Sequence, residues 1–119
     1  MMNMKINGTD IQVKLYDNSS AEAVKELLKK GPFTIAMKDY AHMEKFGSFG
    51  MQLPANDEYI TTKAGDVILS EGNLLVIYYA PNTWNFTRLD QVQNLSESEL
   101  KNVLGEGSVT ATLTLIDEE

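Results

Sequence analysis

Residues 2–15 read MNMKINGTDIQVKL, and this stretch sets the class of fold. Apolar and polar residues alternate on both sides of Asn7-Gly8, which is the period of a strand with one buried face. An Asn-Gly pair favours a two-residue hairpin turn, because both of its positions tolerate the positive φ that the turn requires. We therefore predict an antiparallel hairpin with one buried face in this part of the chain.

Several later segments show the same alternation or an apolar run of strand length. They lie at residues 33–38, 66–70, 74–79, 86–92 and 109–115. The runs at 66–70 and 74–79 predict a central hairpin that packs on both faces, whereas no period is visible between residues 41 and 59. The tally of roughly eight short strands is typical of a mainly β sandwich or barrel.

Two short amphipathic helices are predicted from capping signals. Ser19 and Glu22 form a Ser-x-x-Glu capping box, and Gly31-Pro32 stops the first helix. Its apolar stripe consists of Val24, Leu27 and Leu28. Such a stripe must be buried, so we expect this helix to plug one open end of a barrel.

The second helix follows a second box, Ser96 to Glu99, and ends at Gly105. Leu95 before the cap and Leu100 after it have the spacing of a hydrophobic staple. The stripe consists of Leu100, Val103 and Leu104. We expect it to plug the other end.

Composition narrows the class of protein. A length of 119 residues fits one domain, spanning 1–119. The absence of cysteine excludes disulfides and thiolate chemistry and suits the cytoplasm, where we expect the protein. A net charge of −7 with a single arginine, Arg88, argues against a nucleic-acid partner. No apolar run approaches the ~20 residues of a membrane span, and no secretory signal is visible, so no membrane partner is expected.

Several motifs together resemble the small bacterial and archaeal cyclophilin-like domain family. They are Tyr40-x-x-x-Glu44-Lys45-Phe46-Gly47, Leu53-Pro54, AGDVIL at 64–69, LLVIYY at 74–79 and Phe86-Thr87-Arg88-Leu89. The resemblance implies a closed eight-stranded antiparallel barrel capped by two short helices. Because related domains sometimes sit beside flavodoxin-like domains, it also implies a flavodoxin-like redox partner. The chain departs from the family pattern at Met43, Phe46 and Trp84-Asn85, so no ligand preference is carried over.

Aromatic residues in two otherwise polar loops predict a ligand groove. Exposed aromatic residues often mark binding surfaces, although these residues could equally cap the barrel core. The candidate groove residues are Tyr40, Glu44, Lys45, Phe46, Phe49, Trp84, Phe86 and Arg88. The leading hypothesis is a non-catalytic binding module for a peptide or small ligand, without a metal or other cofactor.

An enzyme is the alternative hypothesis. True cyclophilins isomerise prolyl bonds and carry a Phe-His-Arg signature on an early strand, whereas the corresponding strand here reads FTIAMK at 33–38. Arg88 would then have to be the amide donor of a weak prolyl isomerase. His42, the sole histidine, could serve as a general base only beside a second titratable group, and a loop histidine without a function is the favoured interpretation.

Overall fold

The computed structural model describes residues 2–41 and 43–116. Within them it contains strands and helices in the order β1 Met2–Ile6, β2 Thr9–Leu15, α1 Ser19–Leu28, β3 Phe33–Tyr40, β4 Glu44–Ser48, β5 Glu58–Thr61, β6 Asp66–Ser70, β7 Leu74–Tyr78, β8 Thr83–Val92, α2 Glu97–Leu104 and β9 Val109–Leu115. The predicted first hairpin is confirmed. Its turn residues Asn7 and Gly8 have φ angles of 51° and 78°, as a tight turn between twisted strands requires.

Eight of these strands close into an antiparallel barrel, as the resemblance implied. The order around it is β2-β1-β9-β3-β4-β7-β6-β8, and β8 pairs with β2 through Val13–Leu15 opposite Asp90–Val92 to complete the circle. Closure pairs the strand edges that an open sheet would leave exposed. The remaining strand, β5, pairs only with the first half of β8.

The barrel interior is filled by the inward residues of the strands and by one stripe of each helix. Val24 and Leu28 of α1 and Leu100 and Leu104 of α2 are buried in the same apolar cluster as the inward strand residues. Each helix therefore covers part of the core. The helices have only 10 and 8 residues, and the burial of their apolar stripes stabilises them.

The start of α1 corrects one prediction. Asn18, rather than Ser19, is the N-cap, and its side-chain oxygen accepts a hydrogen bond from the Ala21 amide at 2.8 Å. Asn18 also donates to the Arg88 carbonyl at 2.8 Å, so a bond to β8 fixes the cap one residue earlier. The box at Ser96 and Glu99 is confirmed, with both reciprocal hydrogen bonds present.

The strand β4 lies within residues 41–59, where the sequence shows no alternation of apolar and polar residues. The inward positions of β4 are Lys45 and Gly47, which do not look like core residues in a sequence. A Cβ at Gly47 would lie 2.5 Å from the Ala36 carbonyl oxygen and 2.5 Å from Ile35 Cγ2. Glycine therefore stands there because β3 approaches too closely for any side chain.

Candidate functional site

A second, smaller apolar cluster lies on the outer face of the barrel. In β6 and β7 the residues that alternate with the interior ones are also buried, so these strands pack on both faces as predicted. The cluster contains Ile68, Val76, Tyr78 and Phe86, with Met43, Phe46, Ile60 and Leu74 packed around it. The rings of Tyr78 and Phe86 lie 5.5 Å apart. This outer cluster supports the groove described next.

A groove with a volume of about 580 Å³ opens above the outer cluster, where β4 and β7 face the first half of β8. Four aromatic side chains line it, namely Tyr40, Tyr78, Trp84 and Phe86. Tyr40 and Trp84 are 59% and 62% exposed, whereas Tyr78 and Phe86 are buried. Two rings therefore form accessible walls, and two form a fixed floor.

Acidic groups complete the lining. They are Glu44, Asp57 and Glu71. Glu44 of β4 stands directly opposite Tyr78 of β7 in the strand pairing, and both side chains line the groove. Asn82 donates a further hydrogen bond to the Tyr78 hydroxyl oxygen at 3.0 Å. The Tyr78 phenol therefore lies beside Glu44 and is held by Asn82.

Burial changes the acidity of this pair. Half-burial of Glu44 raises the pKa of its carboxyl group, although the neighbouring Tyr78 hydroxyl opposes that shift and the nearby negative charge of Asp39 adds to it. Burial also raises the pKa of the Tyr78 phenol, so the phenol stays protonated beside Glu44. The pair therefore presents one carboxylate in a partly desolvated position.

The structure brings together half of the eight predicted groove residues. Tyr40, Glu44, Trp84 and Phe86 line the groove. Phe46 lies just behind it, in an edge-to-face contact with Tyr40 at 6.4 Å between ring centroids. Phe49 does not reach the groove, because it is buried in the barrel interior beside Phe33, with their rings 6.1 Å apart.

Lys45 also lies inside the barrel, on the face of β4 opposite to Glu44. Its side chain is fully buried, and its Nζ donates to Asp39 at 3.0 Å and to the carbonyls of Gly105 and Gly107 at 2.9 and 2.7 Å. The Tyr79 hydroxyl donates to the same oxygen of Asp39. The adjacent Glu44-Lys45 pair is therefore divided between the groove and the interior.

Arg88 lies in a different depression. Its guanidinium stands 6.0 Å from the Tyr16 ring centroid, in a hollow of about 470 Å³ that it shares with Asp17, Asp57 and Glu58. His42 falls outside the described residues.

Sequence reasoning missed Tyr78, Asp57, Glu71 and Asn82. Tyr78 ends a run of apolar residues and looks like core, and Glu71 lies in the turn between β6 and β7. Asp57 and Asn82 come from segments whose position depends on the pairing of β5 with β8.

These features match a known family. A sequence profile of the cyclophilin-like family matches residues 4–114. The chain belongs to the cyclophilin-like family. The resemblance drawn from the sequence motifs is confirmed. No curated protein matches the chain.

Two solved structures share this cyclophilin-like fold. The structure of McbB in complex with tryptophan superposes with a TM-score of 0.71 at 15% identity and covers 100% of this chain, which spans only 46% of McbB. The solution structure of the hypothetical protein AF2241 from Archaeoglobus fulgidus superposes with a TM-score of 0.67 at 10% identity, covering 93% of this chain and 91% of AF2241. At these identities the likeness shows the fold alone.

Residues 2–41 and 43–116 contain no group of three or more His, Asp or Glu side chains placed to hold a metal ion. Neither helix within these ranges is long and apolar enough to cross a membrane.

Proposed function

We propose that this cyclophilin-like barrel is a non-catalytic binding module that holds a peptide or small ligand in the groove between Tyr40 and Trp84. The observation that carries the proposal is the exposure of these two rings, 59% and 62%, above a floor of buried aromatic side chains. Large aromatic side chains are normally buried on a soluble protein, and exposed ones beside a cavity are typical of binding sites.

The position of the groove supports the same conclusion. Tyr78 and Phe86 belong to an apolar cluster that packs on the barrel wall, so the floor is preformed and little ordering entropy is lost when a ligand binds. The volume of about 580 Å³ is in the range of sites for small molecules or for two or three residues of a peptide. McbB, a protein of the same fold, was solved in complex with tryptophan, which favours a small organic ligand.

NMR titration of the ¹⁵N-labelled full chain with L-tryptophan and with a proline-containing peptide tests this proposal. We expect amide shifts in β4, β7 and the first half of β8, and the loss of those shifts in Trp84→Ala. Tyr59→Ala is the matched control, because Tyr59 is also highly exposed, at 71%, but does not line the groove. No shifts at millimolar ligand, or shifts confined to other surfaces, would refute the proposal.

Prolyl isomerisation is the second function that the sequence suggested, and the groove does not favour it. The reaction needs a donor beside an apolar pocket, whereas Arg88 lies over Tyr16 in a separate acidic hollow. A coupled-protease peptide assay decides the question. Rates at background for both the unmodified chain and Arg88→Ala would eliminate the role of Arg88.

The cellular location and a partner protein, both expected from the sequence, are also proposals. The absence of cysteine fits a cytoplasmic protein, and the family resemblance implies a flavodoxin-like redox partner. Co-purification from the native host under mild conditions tests the partner, and fractionation of the same cells tests the location.

A further inference from the structure

We propose that the ligand of the groove carries a protonated amine attached to an apolar or aromatic body. This inference rests on the proposed function, because it names the chemical class of the ligand at the same site. The exposed rings make the groove a candidate site. The charge of its lining decides which ligands fit it.

The charge of the lining is of one sign. Glu44, Asp57 and Glu71 contribute carboxylates, and no lysine or arginine is among the described residues that line the groove. No ion pair with a described lysine or arginine neutralises any of the three. An anionic ligand would therefore meet repulsion without a compensating cation, whereas an ammonium group would supply the missing positive charge.

Glu44 is the carboxylate best placed to bind such a group. It is half-buried and stands opposite Tyr78 on a paired strand, so it is partly desolvated and its backbone position is fixed. A charge-assisted hydrogen bond to a partly desolvated carboxylate is stronger than one made on an open surface. Glu44 therefore sets the position at which the ammonium group binds.

The aromatic walls reinforce this preference. Trp84 and Tyr40 are exposed at the groove, and the faces of such rings attract cations as well as apolar groups. The net charge of −7 also raises the local concentration of cations around the molecule. Rings and carboxylates together describe a site for a compound such as an arylalkylamine or the free N-terminus of a peptide.

A matched ligand series tests the inference. Phenethylamine, L-phenylalanine and 3-phenylpropionate share one ring and carry a positive, a zwitterionic and a negative group. Their affinities are measured by the fluorescence of Trp84, the sole tryptophan, which is excited where phenylalanine does not absorb. We expect affinity to fall in the order given, by about tenfold between the amine and the acid, as for the loss of one charge-assisted hydrogen bond.

Variants identify the group that recognises the charge. Glu44→Gln keeps the shape of the side chain and should weaken phenethylamine about tenfold while leaving 3-phenylpropionate unchanged or tighter. Glu58→Gln is the control, because Glu58 is an exposed carboxylate of β5 outside the groove lining. Thermal melts and ¹⁵N spectra of both variants show whether each is still folded. Only folded variants are compared in ligand affinity.

The outcomes separate this inference from the proposed function. If 3-phenylpropionate binds as tightly as the amine, or if Glu44→Gln leaves the amine unaffected, the charge inference is wrong although a binding site exists. If no member of the series and no other probe perturbs the groove, the proposed function itself fails. If the amine binds, comparing phenethylamine with Phe-Ala amide distinguishes a small amine from a peptide N-terminus as the source of the ammonium group, and acetylated Phe-Ala amide should bind more weakly than the free form.

Discussion

Asp90 is the buried charge that the fold does not compensate. Its side chain is 1% exposed, and it stands opposite Val67 and Leu15 in the strand pairings. Neither carboxylate oxygen has a hydrogen-bond partner among the described residues. Burial raises the pKa of this carboxyl group well above its ordinary value, because an unpaired anion is costly in a barrel interior.

This burial makes stability depend on pH. In the unfolded chain an aspartate loses its proton near pH ~3.9, whereas the folded chain retains it to a much higher pH. The folded state thus binds more protons, and the free energy of unfolding falls as the pH rises from about 4 to the folded pKa, by up to about 1.4 kcal/mol per pH unit. Below that window the penalty is absent.

Asp90→Asn should remove this pH dependence, because the amide has nearly the same shape and does not ionise. Relative to the unmodified chain, the variant should gain stability as the pH rises above about 4, and the unsatisfied amide adds only an offset that does not change with pH. Urea denaturation at several pH values measures the difference. Parallel stability curves for the two proteins would show that Asp90 does not titrate as proposed.

At the scale of the elements, the sequence predicted those features whose causes are local. The first hairpin depends on Asn7-Gly8 and the second helix on Ser96 and Glu99, and both lie where they were expected. The strand β4 could not be predicted, because its inward residues are a lysine and a glycine. Both residues are explained by contacts with distant parts of the chain. The lysine binds the carbonyl of Gly105, and the glycine is required by the close approach of β3.

The groove shows the same division. Tyr40, Glu44, Trp84 and Phe86 were found from the aromatic and charged content of two segments predicted as loops, although the structure places them in β3, β4 and β8. Nothing in the sequence separates Glu44 from Lys45. A strand sends adjacent residues to opposite faces, and with β4 unrecognised that separation could not be foreseen. Asp57 was missed because its place at the groove depends on the pairing of β5 with β8.

The first helix provides a test at this scale. Asn18→Ala removes the N-cap and the bond to the Arg88 carbonyl, so it should lower the free energy of unfolding by about 1–2 kcal/mol. Ser19→Ala, the matched control at the position that the sequence favoured, should cost clearly less, because its hydroxyl only accepts from Asn56. Chemical denaturation compares them. A larger loss for Ser19→Ala would restore Ser19 as the cap.

For the whole molecule, the interior hydrogen-bond network and the outer groove use different side chains of β4, Lys45 and Glu44. Lys45 links Asp39 on β3 to the segment between α2 and β9, through Gly105 and Gly107. The groove is on the other side of the same wall. Stability and ligand binding should therefore respond to different residues of β4, although these residues are adjacent in sequence.

Lys45→Met tests this separation. The variant removes a fully buried cation and leaves two carbonyls without their donor, so we expect a loss of about 3 kcal/mol in stability. Below its unfolding temperature it should bind phenethylamine as the unmodified chain does, because Lys45 does not line the groove. Lys38→Met is the matched control, since Lys38 is exposed on β3 and a surface substitution changes stability by about 0.5 kcal/mol or less. If Lys45→Met instead melts like Lys38→Met and loses the ligand, then Lys45 acts in the groove, as its place beside Glu44 in the sequence first suggested. The division between an interior that stabilises and an outer face that binds would then be wrong.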